Sequence, residues 1–379
     1  MTDARGRVSG PTAFDAADDR FMALALSLGR RGLGRTWPNP AVGALVVKDG
    51  VIVGRGWTQP SGRPHAEPVA LANAGEAARG ATLYVTLEPC SHYGRTPPCA
   101  DAIVAAGIAR VVSAMEDPNP EVAGQGHRRI AEHGVVVDVG LRADEAQHAH
   151  AGHIRRVLGH RPQVILKLAV SADGKAGLVG RKPAVITGEA ARARVHLMRA
   201  MSDAVLTGIG TARADNPLLT CRLPGMAVRS PVRIILDGKL RLPLESQLAL
   251  TANDVPLWVV GADNASPEAE QELRLLGADV IRVPSRDARL DLPAVLAGLA
   301  ERGVTRLMVE AGPIISAAFV SAGLVDEAAI FRSGHVTLGA DAIDALEDVP
   351  LAKLTEGSGL VSTRIEALGP DTLEIFERD

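Results

Sequence analysis

Apolar and polar positions alternate along the chain in a way that divides it into two α/β blocks. Phe21, Leu24, Ala25 and Leu28 recur at helical spacing, which predicts a helix from Asp18 that Gly29 and Gly32 stop. Ala41–Val47 and Val51–Val53 read as strands joined by a Lys48-Asp49-Gly50 hairpin turn. A helix is predicted over Ala66–Ala74, ended by Gly75, then a buried strand over Thr82–Leu87. Cys99–Ala106 reads as a helix, Arg110–Met115 as a strand, residues 126–133 as a helix stopped by Gly134, and Val135–Val139 as a strand. A helix and a strand pair followed by alternating helices and strands predict a three-layer α/β domain.

The second block opens with a strand over Gln163–Val170 and a Ser171-Ala172-Asp173-Gly174 turn. A helix over Gly188–Met201 and a strand over Asp203–Thr207 follow. Further strands are expected at Val232–Leu236, Leu257–Val260 and Arg306–Val309, and a strand pair between Leu360 and Phe376. The predicted ranges are a flexible tail over 1–17, a first domain over 18–145, a connector over 146–162 and a second domain over 163–379. His148, His150 and His153 fall in the connector, where a solvated helix is expected. Arg155, Arg156 and Arg161 read there as surface charges.

Composition narrows the class of function. Aromatic residues make up 3%, too few for a platform that stacks single-stranded nucleic acid. The net charge of −3 offers no basic excess for a polyanion. The three cysteines do not make a disulfide framework, so a reducing, cytoplasmic compartment is expected. No apolar run approaches the roughly 18 residues of a membrane span.

Candidate chemistry concentrates in residues 65–99. His65-Ala66-Glu67, Pro89-Cys90 and Cys99 supply one imidazole, two potential thiolates and one free carboxylate. A hydrolytic zinc site needs three protein ligands and an open position for water. The His-x-Glu pair with Pro-Cys and a second cysteine resembles the zinc deaminase signature. Helix N-termini near His65 and Cys99 would favour thiolate over thiol. The spacing departs from Cys-x-x-Cys, because eight residues separate the cysteines here. Two such cysteines are also compatible with ordinary buried thiols. In the second block Glu310 ends a strand and Gly312 precedes a helix starting near Pro313. Open α/β sheets bind ligands at such strand ends, and exposed amides at a helix start suit a pyrophosphate.

Longer strings narrow the resemblance. Pro38-Asn39-Pro40-Ala41-Val42-Gly43, Pro64-His65-Ala66-Glu67, the run Thr86-Leu87-Glu88-Pro89-Cys90 through Cys99, and Asp117-Pro118-Asn119-Pro120 stand in order. In the second block stand Lys167-Leu168, Asp215-Asn216-Pro217, Leu219-Thr220, Arg222, Val309-Glu310-Ala311-Gly312-Pro313 and Gly323-Leu324-Val325-Asp326-Glu327. Together they resemble the bifunctional riboflavin-biosynthesis deaminase/reductase family, which has a long loop between its zinc cysteines. The resemblance implies a cytidine-deaminase-like domain followed by a dihydrofolate-reductase-like domain. It also implies hydrolysis of the 2-amino group of a phosphoribosylated diaminopyrimidine, then NADPH reduction of the ribosyl arm to ribityl.

Residue by residue, the resemblance makes His65, Cys90 and Cys99 ligands of Zn²⁺ and Glu67 the proton carrier. Asn39 would bind the pyrimidine, with His92 and Arg95 on the polar arm. NADPH would contact Ala169, Val185, Thr211, Asp215, Gly312, Pro313, Ile314, Ile315, Ser316, Ala317 and Ala318. The reductase substrate would contact Lys167, Pro183, Arg199, Leu219, Arg222 and Glu310. Lys167 and Asp215 are candidates for polarising or protonating the opening sugar. Some positions depart from the family. Thr58 stands where a histidine is common, Pro183 and Val185 where Ser and Trp are common, and Asn216 where Asp is common. Phe331-Arg332-Ser333-Gly334-His335 departs from a usual Ala-Pro-Lys pattern. Cys221 reads as an inert thiol. No nucleic acid or membrane partner is expected. A homo-oligomer formed through the reductase domain is. Two other readings are a zinc deaminase of another base or nucleoside fused to an unrelated reductase, and a second domain that only scaffolds an oligomer.

Overall fold

The computed structural model describes residues 8–9, 14–94, 97–182, 184–287 and 289–378. The chain forms two compact units, Met1–His160 and Arg161–Asp379.

The first unit is one six-stranded sheet between helices. Its strands are β1 (Val8–Ser9), β2 (Gly43–Lys48), β3 (Val51–Trp57), β4 (Thr82–Val85), β5 (Arg110–Ser113) and β6 (Val136–Val139), in the order β1-β6-β5-β4-β2-β3. Strand alternation explains the layers. Leu45, Val47, Tyr84 and Val112 pack with α1 (Ala16–Gly29), through Met22, Ala25 and Leu26. Their neighbours Ala44, Val46, Leu83, Val85 and Val111 face the other way. They pack on α2 (Ala66–Ala74), α3 (Cys99–Ala105) and α4 (Gln125–Glu132). A one-residue step reverses a strand side chain, so each strand feeds both cores. Arg110 crosses the layers, bonding Asp18 of α1 at 2.8 Å and Asp138 of β6 at 2.7 Å.

Three details depart from the sequence reading. Backbone of Val8–Ser9, placed in the expected tail, pairs in parallel with Val137–Asp138. The first helix starts at Ala16, because the Asp15 carboxylate accepts from the amides of Ala17 and Asp18. The expected connector holds two helices, α5 (Ala143–Ala149) and α6 (Ala151–Gly159), inside the first unit. His150 is not solvated: it is 2% exposed, with Nε2 3.1 Å from the Thr86 hydroxyl.

The second unit carries a nine-stranded sheet. Its order is Asp279–Val283, Leu257–Ala262, Val232–Leu236, Ala204–Gly208, Arg306–Val309, Gln163–Val170, Glu327–Arg332, Asp371–Arg378, Leu360–Leu368. Neighbours are parallel until the last two strands, which add an antiparallel hairpin. Ala204–Gly208 and Val232–Leu236 are buried at every position, as parallel strands covered on both faces are. The strand Glu327–Arg332 had no assignment from the sequence. Among the described residues, no helix is long and apolar enough to cross a membrane.

Candidate active sites

The first site forms where α2 and α3 begin. His65 is the residue before the first turn of α2 and carries extended backbone angles. The helix lies so close on β3 that a Cβ at Gly56 would stand 2.1 Å from the Ala66 carbonyl oxygen. Glycine at that position therefore sets how near His65 and Glu67 come to the sheet. Strand β4 ends at Val85, and the chain continues through Thr86, whose hydroxyl accepts from the Gly43 amide at 3.1 Å, to Cys90.

His65 Nδ1 lies 3.6 Å from Cys90 Sγ and 3.3 Å from Cys99 Sγ. The three ligand atoms all fall within 4.8 Å of one another. Zinc bonds of about 2.1 Å to nitrogen and about 2.3 Å to sulfur place tetrahedral ligand atoms roughly 3.6 Å apart. The donor set thus has the size and chemistry for Zn²⁺.

The Cys99 thiol donates to Cys90 and, with the His65 ring and the Cys99 backbone amide, pulls Cys90 down to about 4. The Cys90 thiolate and burial push Cys99 up. A cation in this space replaces that proton. Glu67 is buried beside the Cys99 thiol, and burial raises its pKa.

The other residues proposed for this site are more scattered. Asn39 donates from Nδ2 to the Gly62 carbonyl at 2.8 Å, which ties it to the turn preceding His65. His92 is exposed. Arg95 lies outside the described residues. Thr58 is buried and bonds the Val42 amide through its hydroxyl at 3.0 Å.

Sequence reading gave no role to Arg129. On α4, it reaches the Ser91 carbonyl at 3.3 Å and Asp101 at 2.8 Å, and its guanidinium stacks 5.7 Å from the Tyr93 ring. Its partners flank the two cysteines, yet nothing in its local sequence distinguishes it from a solvated cation.

In the second unit, Glu310 follows the strand Arg306–Val309, and its amide donates to the Leu206 carbonyl at 2.9 Å. Arg199 bonds the Glu310 carboxylate through Nε and an Nη, both at 2.9 Å, and donates to the Thr220 carbonyl at 3.0 Å. Lys167 Nζ lies 3.6 Å from the same carboxylate. Burial pushes Glu310 up, but Arg199 and Lys167 outweigh it and hold the group down at about 2. Leu219 takes a left-handed backbone, φ 54°, with its side chain in the core. Arg222 is exposed nearby, and its amide lies 3.4 Å from His196 Nδ1.

Gly312 is the N-cap of the helix Pro313–Ser321 and makes no side-chain cap to its first turn. A Cβ on Gly312 would stand 3.1 Å from the Thr211 hydroxyl, so Thr211 and Gly312 line one cradle. Ile315 fills the space against Gly208, Ser316 Oγ donates to the Ala311 carbonyl at 3.2 Å, and Ile314 is exposed. Ala317 turns into the core. Half-buried Ala169 pairs with Phe331 between adjacent parallel strands. Asp215 ends the helix Ile209–Asp215 and is exposed. Val185 is 80% exposed, and Pro183 lies outside the described residues. Uncapped amides beside a small-residue cradle fit the pyrophosphate of a dinucleotide.

Two family models match the chain. The cytidine and deoxycytidylate deaminase zinc-binding region covers residues 15–115, and the RibD C-terminal domain covers residues 162–373. The riboflavin biosynthesis protein RibD of Escherichia coli is 40% identical over 365 residues, which is 93% of this chain and 97% of that protein. The chain belongs to the RibD family of riboflavin biosynthesis proteins.

The RibD protein of Bacillus amyloliquefaciens is 41% identical over 354 residues, 93% of this chain and 94% of that one. Among solved structures, Acinetobacter baumannii RibD superposes with a TM-score of 0.83 at 36% identity, covering 96% of this chain and 99% of its own. A Thermotoga maritima protein superposes at 0.81 with 34% identity and the same coverages of 96% and 99%. It is described as a diaminohydroxyphosphoribosylaminopyrimidine deaminase/5-amino-6-(5-phosphoribosylamino)uracil reductase. The fold is accordingly a cytidine-deaminase-like domain followed by a RibD reductase domain.

Proposed function

We propose that this chain catalyses two consecutive steps of riboflavin synthesis. The first unit hydrolyses the 2-amino group of 2,5-diamino-6-(5-phosphoribosylamino)pyrimidin-4(3H)-one. The second unit reduces the ribosyl arm of the product to ribityl with NADPH. The observation that carries this reading is the His65, Cys90 and Cys99 triad with Glu67 buried beside it.

Zn²⁺ held by the triad supplies an acidified water, whose pKa falls from about 15.7 toward about 7. Glu67 would take one proton from that water and give it to the ring nitrogen as the oxygen bonds C2. It would then carry the remaining hydroxyl proton to the amine, so that C2=O forms, the C2–N bond breaks and ammonia departs. Glu67 can carry the proton because it is not one of the three ligands. Asn39 holds the pyrimidine, while His92 and Arg95 hold the polar arm.

In the second unit NADPH supplies the hydride. Gly312, Pro313, Ile314, Ile315, Ser316 and Ala318 hold its pyrophosphate end, Ala317 packs behind them in the core, and Ala169, Val185, Thr211 and Asp215 lie along the cleft. Lys167, Pro183, Arg199, Leu219, Arg222 and Glu310 contact the substrate, and Lys167 or Asp215 supplies the proton that accompanies the hydride. The enzyme works in the cytoplasm as a homo-oligomer joined through its reductase domains.

Incubation of purified protein with the diaminopyrimidine, Zn²⁺ and NADPH tests the proposal. Stoichiometric ammonia release followed by loss of reduced-nicotinamide absorbance is expected. Ammonia release from free cytidine or guanine, without turnover of the phosphoribosylated pyrimidine, would overturn it.

A further inference from the structure

The Asp117-Pro118-Asn119-Pro120 string has no part in the chemistry above, and neither has Glu88. The structure joins them. The Glu88 carboxylate accepts four backbone amides: Asp117 at 3.0 Å, Gly124 at 2.9 Å, Gly126 at 2.7 Å and His127 at 3.3 Å. Gly126 and His127 open helix α4, so the carboxylate also sits where a helix favours negative charge. The loop is folded for this purpose by its own side chains. Asp117 accepts from the Asn119 amide at 2.9 Å, and Asn119 accepts from the Glu121 amide at 3.1 Å.

Glu88 is two residues from Cys90, and the residue between them is wedged. A Cβ on Gly126 would stand 1.9 Å from the Pro89 carbonyl oxygen, so the α4 backbone presses directly on the Pro89 peptide. Behind the carboxylate lies His127, fully buried, with Nδ1 3.8 Å from Glu88 Oε2. The same helix carries Arg129, which bonds Ser91 and Asp101 beside the two cysteines.

We propose that Glu88 is a positioning residue for the metal site: it clamps the 117–127 segment and so fixes the Pro89–Cys90 backbone that presents Cys90 Sγ. This inference rests on the reading of His65, Cys90 and Cys99 as zinc ligands. Ligand-orienting residues of this kind typically change metal affinity by about 10–100-fold when replaced. Glu88→Gln keeps the shape but offers one accepting oxygen in place of two, leaving buried amides without an acceptor. Asn119→Ala loosens the half-buried loop and leaves Glu88 in place.

The test follows zinc release from the full-length, zinc-loaded protein into excess chelator, with the visible spectrum of the Co²⁺-substituted protein as a second readout. Glu88→Gln is expected to release zinc about tenfold faster or more. Its cobalt–thiolate bands should shift. Asn119→Ala should release zinc several-fold faster. Asp203→Asn is the control. That buried carboxylate accepts the Thr305 and Arg306 amides in the second unit, so its loss should leave zinc release unchanged. Wild-type release rates and spectra in both Glu88→Gln and Asn119→Ala overturn the inference. Should Glu88→Gln not fold, a wild-type rate in Asn119→Ala overturns it alone. Failure of the wild type itself to bind zinc refutes the underlying reading instead.

Discussion

Arg199, on the helix Glu189–Ala200, grips Glu310, which follows the strand Arg306–Val309, with two parallel contacts of 2.9 Å. Lysine carries the same charge but cannot reproduce the fork. Arg199→Lys is therefore expected to lower kcat/KM for NADPH-dependent reduction by about tenfold or more, since a charge-assisted pair is worth about 1.5–3 kcal/mol. Ammonia release should stay at the wild-type rate. Parallel assays of the two half-reactions check both statements.

Glu67→Gln removes the proton carrier and leaves the three metal ligands in place. Zinc content should remain stoichiometric by elemental analysis. Ammonia release should fall about 10²–10⁴-fold, the usual worth of a positioned acid/base group. Retained turnover in this variant would remove Glu67 from its role.

Stripping zinc should separate the two activities. Prolonged dialysis against a chelator is expected to abolish ammonia release, and added Zn²⁺ to restore it. NADPH oxidation with the deaminated substrate should continue throughout. Cys99→Ser should behave as the stripped protein does and resist rescue by zinc.

His150 gives the first unit a defined response to acid. Burial holds its pKa down at about 4, and burial also lowers His127 and His153. The unfolded chain titrates histidine near pH 6.5, so the fold favours the neutral rings. Their contribution to stability is complete above about pH 6.5 and is lost as pH falls, for His150 toward about 4. For His150 alone the difference amounts to about 3 kcal/mol. Melting temperature measured across this range should drop for the wild type. His150→Gln should show a shallower dependence, and an unchanged slope would remove His150 as a source.

Gly56 tests how the first site is built. Alanine there must push α2 away from β3, because its Cβ would meet the Ala66 carbonyl oxygen at 2.1 Å and the Ala70 amide at 2.6 Å. Overpacking of this kind costs about 1–3 kcal/mol. Gly56→Ala should melt earlier and hold zinc less tightly, as thermal unfolding and metal titration would show.

Much of this was readable before any coordinates. Short runs between helices located β4, β5 and β6 to within two residues, and Gly75 and Gly134 marked helix ends through backbone conformation. The metal triad was legible because its residue types are rare together. Legibility failed where burial depends on distant packing. His150 joins two polar-looking helices, and its partner Thr86 lies sixty-four positions away. The strand Glu327–Arg332 follows a loop and carries charges at both ends, yet pairing on two sides makes it central. Glu88 is likewise silent in sequence, since its four donors are backbone amides that any residue could provide.

The unusual interval between Cys90 and Cys99 loses its oddity once its two ends are considered. Cys99 donates its amide to Cys90 Sγ at 3.3 Å, and Ala100 donates to the Cys90 carbonyl at 3.2 Å. The intervening segment is a bight tied off at its neck. Because both bonds are made at the ends of the interval, its length can change while the distance between the sulfurs stays the same, so the spacing in the sequence is no measure of how well the two thiols can hold a metal.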